Sequence, residues 1–262
     1  MKDDTGDITA IPNAARIYDY ILGGRFNYEA DRQAAEFMLG LVPSTRKWLR
    51  YLRLFLHNTV KRLGEEGFER FLDLGSGLPT EDHIHSTVPN ARVIYVDNDP
   101  LVVASGTELL GEHPHARYLE ADIRDIAGIL ASKTVHQMLG DGNKVAIGLN
   151  AVTCFLTDDD IRNIVEALYE WAPRGSKIYA TFETKHPDLM TPNLEQLVDA
   201  LKQMGSPYYF LTLERSKALM TPWTAEAPGF LPLAEVLNLD GDITEADREG
   251  VGLEFYGAVL TK

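Results

Sequence analysis

The chain is short of cysteine, of positive charge and of long apolar runs, and each shortage removes a class of function. Its single cysteine, Cys154, has no partner for an internal disulfide. That excludes a disulfide-stapled secreted scaffold, and a reducing cytoplasmic location is expected, with Cys154 acting as a small hydrophobe. Lys and Arg number 25 against 39 Asp and Glu, a formal net charge of −14. Phosphate backbones are bound by concentrated positive surface, so nucleic acid is not an expected partner. Arg46, Lys47, Arg50 and Arg53, with Lys61 and Arg62 further along, form one basic concentration on a predicted helix and read as its solvated face. No run approaches the roughly 18 apolar residues of a membrane span, and the acidic start "MKDDTGDITA" lacks the apolar core of a signal peptide. A soluble, unprocessed protein without a membrane partner is therefore expected. Also missing are a Gly-x-x-x-x-Gly-Lys phosphate loop, a Ser/His/Asp order and metal-ligand spacing: "EDHIH" offers His83 and His85 without further ligands, so no metal is expected.

What is present is a chain of 262 residues with 45% hydrophobic and 24% charged residues, enough for one substantial core. Helical signals run from Ala14 to Leu22, stopped by Gly23 and Gly24, and from Glu29 to Leu41 before Pro43. Residues 1–45 thus read as a helical N-terminal extension. Trp48, Leu52, Phe55, Leu56, Val60 and Leu63 then recur at helical spacing until Gly64 and Gly67. Beyond them, the short apolar runs "FLDL", "RVIYVDNDP", "ARYLEADI", "KVAIGLNAV" and "KIYATFE" alternate with helical stretches at Pro100–Leu110, Asp158–Trp171 and Pro192 to Gly205. This alternation predicts a doubly wound parallel sheet with helices on both faces over residues 46–262. Two further strand-like runs, "YYFLTL" near Tyr208 and "LEFYGAVLT" from Leu253, have no long crossover helix between them and predict an antiparallel pair at the sheet edge, for seven strands in all. The connecting segment, 214–252, is too long for a hairpin loop and is expected to cover the substrate side or to be partly mobile.

Ligands of doubly wound sheets bind outside the carboxyl ends of the strands, where the strand order reverses. The residues following each strand are therefore the candidates. They are Asp73, Gly75, Ser76 and Gly77 in "RFLDLGSGLPT", Asp97, Asn98 and Asp99 after the second strand, Asp122 and Ile123 after the third, and Asn150 and Ala151 after the fourth. Glycines without a Cβ let backbone approach a ligand closely. Asp97 lies 22 residues beyond Gly75, at about the ~20-residue spacing of an acid that accepts from both ribose hydroxyls of a nucleoside. Asp99, before Pro100, reads as a helix N-cap. Thr80 stands where the third glycine of a Gly-x-Gly-x-x-Gly dinucleotide loop belongs. Asp73, placed to accept from an α-amino group, and Asp122, placed to accept from an adenine amino group, favour S-adenosylmethionine over a nicotinamide.

At this point "FLDLGSG", "VIYVDNDP", "LEADI" and "APRGSKIY" resemble the motifs of class I S-adenosylmethionine-dependent methyltransferases. With "PNAARIYDYILGGRFNYEADRQAAE" and "LDLGSGLPTEDHIH" included, most of the chain resembles the actinobacterial S-adenosyl methyltransferase family once known only as a domain of unknown function. The resemblance implies a Rossmann-like α/β fold with S-adenosyl-L-methionine as cofactor. It puts Asp73, Gly75 and Gly77 around the methionine part, Asp97 on the ribose, Asn98 beside the adenine, Asp122 and Ile123 at its edge, and Asn150 near the sulfonium. The family pattern after the double glycine has an acid where this chain has Phe26, and "GLNAVTCF" departs from an apolar-histidine run, so acceptor chemistry is expected to differ.

In "RIYDYILGGRFNY", Tyr18 suits a sulfonium through cation–π attraction, Arg25 or Arg16 suits the cofactor carboxylate, and Gly23-Gly24 suits the joint of a lid. Packed amphipathic helix is the equal alternative. Glu183 and His186, after the fifth strand, are the candidates for removing a proton from an acceptor. The expected activity is direct in-line methyl transfer to a small-molecule acceptor. A non-catalytic S-adenosylmethionine sensor and an NAD-dependent oxidoreductase are the alternatives.

Overall fold

A computed structural model describes residues 8–78, 83–140 and 143–262. Thr80 and the first acids of "EDHIH" lie outside the described residues. The chain opens with helices α1 (Ala14–Ile21), α2 (Glu29–Leu41) and α3 (Thr45–Glu65). Asn13 caps α1, its side-chain oxygen accepting from Ala15 N at 2.8 Å, which satisfies one of the donors that every helix start leaves free. In α3, Trp48, Tyr51, Leu52, Phe55, Leu56, Val60 and Leu63 are buried along one stripe, as their spacing predicts. Ile17 and Ile21 of α1 and Met38 of α2 join the same core cluster. Each such side chain contributes about 1.5–3 kcal/mol by leaving water, so the N-terminal helices are held by packing as well as by charge.

Strands β1 (Arg70–Leu74), β2 (Arg92–Asp97), β3 (Ala116–Glu120), β4 (Ala146–Leu149) and β5 (Lys177–Thr184) follow, and the four pairings among them are parallel. Between them lie α4 (Ile84–Thr87), α5 (Pro100–Leu110), α6 (Ile126–Ala131), α7 (Lys133–Leu139) and α8 (Asp158–Trp171). The C-terminal part holds α9 (Pro192–Gln203), α10 (Leu213–Leu219), β6 (Thr224–Ala225), β7 (Leu231–Pro232), α11 (Leu233–Val236) and β8 (Glu254–Thr261). The strand order is β3-β2-β1-β4-β5-β8-β6, with β7 also on β8. The chain order reverses between β1 and β4, which opens a crevice beyond the carboxyl ends of those strands.

β8 runs antiparallel to β5 over eight residue pairs, from Lys177↔Thr261 to Thr184↔Glu254. Its expected partner is corrected: "YYFLTL" forms no strand beside it, and the two-residue strands β6 and β7 take the other edge instead. The run is pinned across the end of β5, where Tyr209 N donates to Cys154 O at 2.7 Å and Leu211 makes a single parallel bridge to Thr184. Its aromatic side chains explain the placement. Tyr208 and Phe210 face the cavity described below, and Tyr208 meets Phe155 edge-on at 5.6 Å. The sheet therefore has eight strands, two of them two residues long.

Segment 214–252 packs against the flank of the sheet. Trp223, buried, donates from its indole N–H to Val165 O of α8 at 3.1 Å, and α11 contacts α3. No helix among the described residues is long and apolar enough to cross a membrane.

Candidate active site

The carboxyl ends of β1, β2, β4 and β5 open into one cavity of about 810 Å³, within the range of small-ligand sites. Its polar end is built from the glycine loop. Gly75 and Gly77 take φ of +68° and +60°, a region from which a Cβ is sterically disfavoured. A Cβ on Gly75 would also stand 2.5 Å from Val152 Cγ2, so that position is closed to larger residues twice over. The loop is strung between strands. Ser76 N donates to Val96 O at 2.9 Å, Gly77 N donates to Asp97 Oδ2 at 2.9 Å, and the Tyr118 hydroxyl donates to Gly77 O at 2.7 Å. Asp97 Oδ1 accepts from Asp99 N at 3.0 Å, so the carboxylate is fixed from both sides at the mouth of the crevice.

Asp73 ends β1 with 3% of its surface exposed. Burial pushes its carboxyl up to about 7, and the Tyr179 hydroxyl, 3.3 Å away, and the Arg53 charge offset only part of that rise. Burial also raises Asp97, partly offset by the backbone N–H groups it receives. Asp122 behaves oppositely. The Arg124 guanidinium beside it, with Nε at 2.9 Å from Oδ1 and 3.0 Å from Oδ2, holds it below the usual carboxylate range, so it stays ionised but shares its acceptors. Asn98, exposed, and Ile123, buried, also line the cavity.

At the other end stands Glu183 on β5, 2% exposed, with its Oε2 lacking any hydrogen-bond partner among the described residues. Burial lifts its carboxyl to about 7, and its own backbone N–H with the Cys154 and Thr153 side chains lowers it only partly. Cys154, also buried on the cavity wall, has its thiol pushed well up by burial and by the Glu183 charge, so it stays protonated. Asn150 follows β4. Its amide nitrogen is directed at Leu52 O, 3.5 Å away, which leaves Oδ1 buried and unpartnered among the described residues. Ala151, at φ +56°, donates its N–H to Thr181 Oγ1 at 2.7 Å, turning the chain around the end of β4.

The expected site residues thus divide. Tyr18, Asp73, Gly75, Ser76, Gly77, Asp97, Asn98, Asp122, Ile123, Asn150, Ala151 and Glu183 line the one cavity. Arg25 and His186 do not; both side chains face solvent, and His186 Nδ1 accepts from Asp188 N at 3.3 Å. Arg16 is withheld for a different reason, since its guanidinium is buried in ion pairs with Asp31 and Asp99, both at 2.9 Å. Segment 214–252 supplies none of the lining; the cover comes from α1, α2, α9 and residues 205–210.

Two lining groups escape a reading of the sequence by motif. Arg53 faces the cavity with Nη2 buried and unpartnered among the described residues, although its neighbours Arg46, Lys61 and Arg62 are exposed. The signal was its place in the stripe Leu49, Leu52, Arg53, Leu56, where one cation interrupts three leucines and all four line the cavity. Asp19 of α1 is the other. Its Oδ2 accepts from Phe26 N at 2.8 Å and from Asn27 Nδ2 at 2.9 Å, folding the double-glycine turn back onto α1, while its buried Oδ1 has no partner among the described residues. Gly24 is required there, because a Cβ would stand 2.0 Å from Asp19 Oδ1.

Comparison with known proteins shows the family and the fold. The profile of the S-adenosyl methyltransferase family matches residues 4–259. A DUF574 family protein from Streptomyces avermitilis is 30% identical and superposes with a TM-score of 0.85, covering 97% of this chain and 98% of that chain. A candidate methyltransferase from Thermobifida fusca gives a TM-score of 0.85 at 28% identity, over 97% of this chain and 96% of that chain. Phosphoethanolamine N-methyltransferase 2 of Haemonchus contortus, crystallised with S-adenosyl-L-methionine, shares the fold alone, with a TM-score of 0.50 at 12% identity over 74% of this chain and 49% of that chain. None of the curated proteins compared with the chain matches it. The chain belongs to the S-adenosyl methyltransferase family and is an S-adenosyl-L-methionine-dependent methyltransferase of Rossmann-like α/β fold.

Proposed function

We propose that the protein methylates a small molecule held in the same cavity as the donor, in the cytoplasm, without a nucleic-acid or membrane partner. The observation that carries this reading is continuity. The glycine loop with Asp97 and the buried Glu183 line one cavity of about 810 Å³, within the range of small-ligand sites and walled by residues of α1, α2, α3 and α9. The acidic balance of the chain, −14 in net charge, supports a partner other than nucleic acid.

The residues present fit the donor. Asp97 lines the cavity with both oxygens fixed by backbone N–H groups, each keeping a lone pair for a ribose hydroxyl. Asp73 takes the α-ammonium, whose positive charge favours the ionised carboxylate that burial opposes. Arg53, rather than Arg16 or Arg25, takes the carboxylate, since its free Nη2 is a buried donor in search of an acceptor. Asn98 and Ile123 flank the adenine, with Asp122 at its amino edge, and Tyr18 and Asn150 stand toward the sulfonium. Bound S-adenosylmethionine supplies an electrophilic methyl on a sulfonium that departs as a neutral thioether.

What the chain adds is alignment, exclusion of water and a proton acceptor. Ile17, Ile21, Trp48 and Phe255 wall the cavity with apolar surface, and Trp48 stacks on Phe255 at 4.5 Å. Helix α1 covers the mouth and is tied there by the Arg16 ion pairs with Asp31 and Asp99 and by the Tyr18 hydroxyl on Leu49 O. Glu183, whose carboxyl burial lifts to about 7, is the cavity carboxyl placed to take the proton near neutral pH. Incubation with S-adenosylmethionine and a panel of small acceptors, read as S-adenosylhomocysteine formed, tests the reading. Turnover with small acceptors and none with DNA, RNA or protein is expected; turnover confined to a polymer overturns it.

A further inference from the structure

We propose that the acceptor is an amine carried on an apolar body, its protonated nitrogen seated between Glu183 Oε2 and Asn150 Oδ1. This rests on the methyltransfer reading above and deepens it. Buried polar atoms without partners describe the ligand that would satisfy them, because leaving each one unpaired costs roughly 1–3 kcal/mol. Four such atoms line this cavity: Arg53 Nη2 is a donor, while Asp19 Oδ1, Asn150 Oδ1 and Glu183 Oε2 are acceptors. The cavity therefore calls for a ligand set richer in donors than in acceptors.

Asn150 and Glu183 stand at the carboxyl ends of neighbouring strands and line the same cavity. Leu149, just before Asn150, pairs with Ala180, and Glu183 stands three residues further along that neighbouring strand. The Asn150 orientation is fixed by Leu52 O, so its oxygen is the atom presented. A hydroxyl carries one proton and satisfies one of these two atoms. An ammonium carries enough to satisfy both, and its charge complements Glu183 once that carboxyl ionises. The Tyr18 and Tyr208 hydroxyls and the Cys154 thiol face Glu183, and the rest of the cavity wall is largely apolar. Leu194, Leu197 and Leu201 of α9, with Phe210, Leu253 and Phe255, offer a molecular body no polar partner and exclude water from the nitrogen.

The geometry also provides for the proton. One proton passes from the ammonium nitrogen to Glu183 Oε2, which leaves a neutral amine with its lone pair free and a neutral carboxylic acid beside it. Burial, which raises this carboxyl, makes the exchange feasible near neutral pH.

The test is binding to the protein saturated with S-adenosylhomocysteine, followed by calorimetry, with hexylamine and phenethylamine as probes against hexanol, phenol and ethanolamine. The apolar amines are expected to bind at least tenfold more tightly than the alcohols and than polar ethanolamine. Glu183→Gln and Asn150→Leu are each expected to weaken hexylamine at least tenfold, and in Glu183→Gln the S-adenosylhomocysteine affinity stays within about twofold. Binding of phenol or hexanol in preference to the amines overturns the proposal, as does no amine binding at millimolar concentration or an affinity indifferent to both substitutions. Failure of S-adenosylhomocysteine itself to bind in the first titration would instead strike at the methyltransfer reading.

Discussion

Arg16 Nη1 lies 2.9 Å from Asp99 Oδ2, joining helix α1 to the turn that follows Asp97 at the end of β2. Asp99 is committed on both oxygens, because its Oδ1 caps α5 by accepting from Leu101 N at 2.7 Å. Arg16 is likewise engaged at all three nitrogens, giving Nε to Asp31 and Nη2 to Ile11 O. The N-terminal cover and the Asp97 end of the cavity are therefore one hydrogen-bonded unit.

Removing one member of such a buried network leaves uncompensated charge, at a cost of about 3–5 kcal/mol. Arg16→Ala is expected to lower the urea midpoint by that equivalent and to weaken S-adenosylhomocysteine binding together with it. Unchanged stability would show that α1 is held by its apolar face alone.

Arg53→Ala is expected to weaken S-adenosylhomocysteine at least tenfold and to leave methylthioadenosine, which has neither carboxylate nor ammonium, within about twofold. Calorimetric titration of both ligands reads this directly. An equal loss for both would mean that Arg53 supports the cavity wall and does not meet the carboxylate.

The two buried carboxyls set a pH dependence. Asp73 and Glu183 ionise near 7 when folded and at ordinary acidic values when unfolded. Between about pH 4 and 7 the folded state therefore binds more protons, and stability falls as pH rises through that window. His83, which burial holds neutral, acts in the opposite sense. The comparison is therefore between wild type and the double variant Asp73→Asn, Glu183→Gln. From pH 5 to 8 the apo wild type is expected to lose several degrees of Tm relative to the variant, at about 2–4 °C per kcal/mol. Parallel Tm profiles for the two proteins would contradict the assignment.

Gly75→Ala combines a positive φ with a Cβ 2.5 Å from Val152 Cγ2. A destabilisation of about 1–3 kcal/mol is expected from the backbone alone. Gly23, also at positive φ but with nothing within 4 Å, provides the comparison: Gly23→Ala pays the backbone cost without the clash. Denaturant titration that finds the two substitutions equal would remove the Val152 contact from the account.

The five parallel strands, Asp97 and the glycine loop were legible in the sequence because each rests on a local pattern: an apolar run, a turn residue and a fixed spacing. Asp99 was legible as a cap for the same reason. Arg53 was not, because its role depends on which side of α3 meets the strand ends, a tertiary fact that a count of basic residues hides. Arg25 and His186 were drawn toward the site by nearness in sequence to residues that do line it, yet their side chains turn to solvent. The run at Tyr208 has strand composition because aromatic residues wall a cavity as readily as they pack a sheet. Only the packing against Cys154 and the end of β5 distinguishes the two uses.

The most direct test of the central claim is calorimetric titration of wild type and Asp97→Ala with S-adenosylhomocysteine and with NAD. The account predicts one S-adenosylhomocysteine site in the wild type, no heat from NAD, and at least tenfold weaker binding in Asp97→Ala with an unchanged far-UV circular dichroism spectrum. Binding of NAD in place of S-adenosylhomocysteine, or equal affinity in the two proteins, would contradict it.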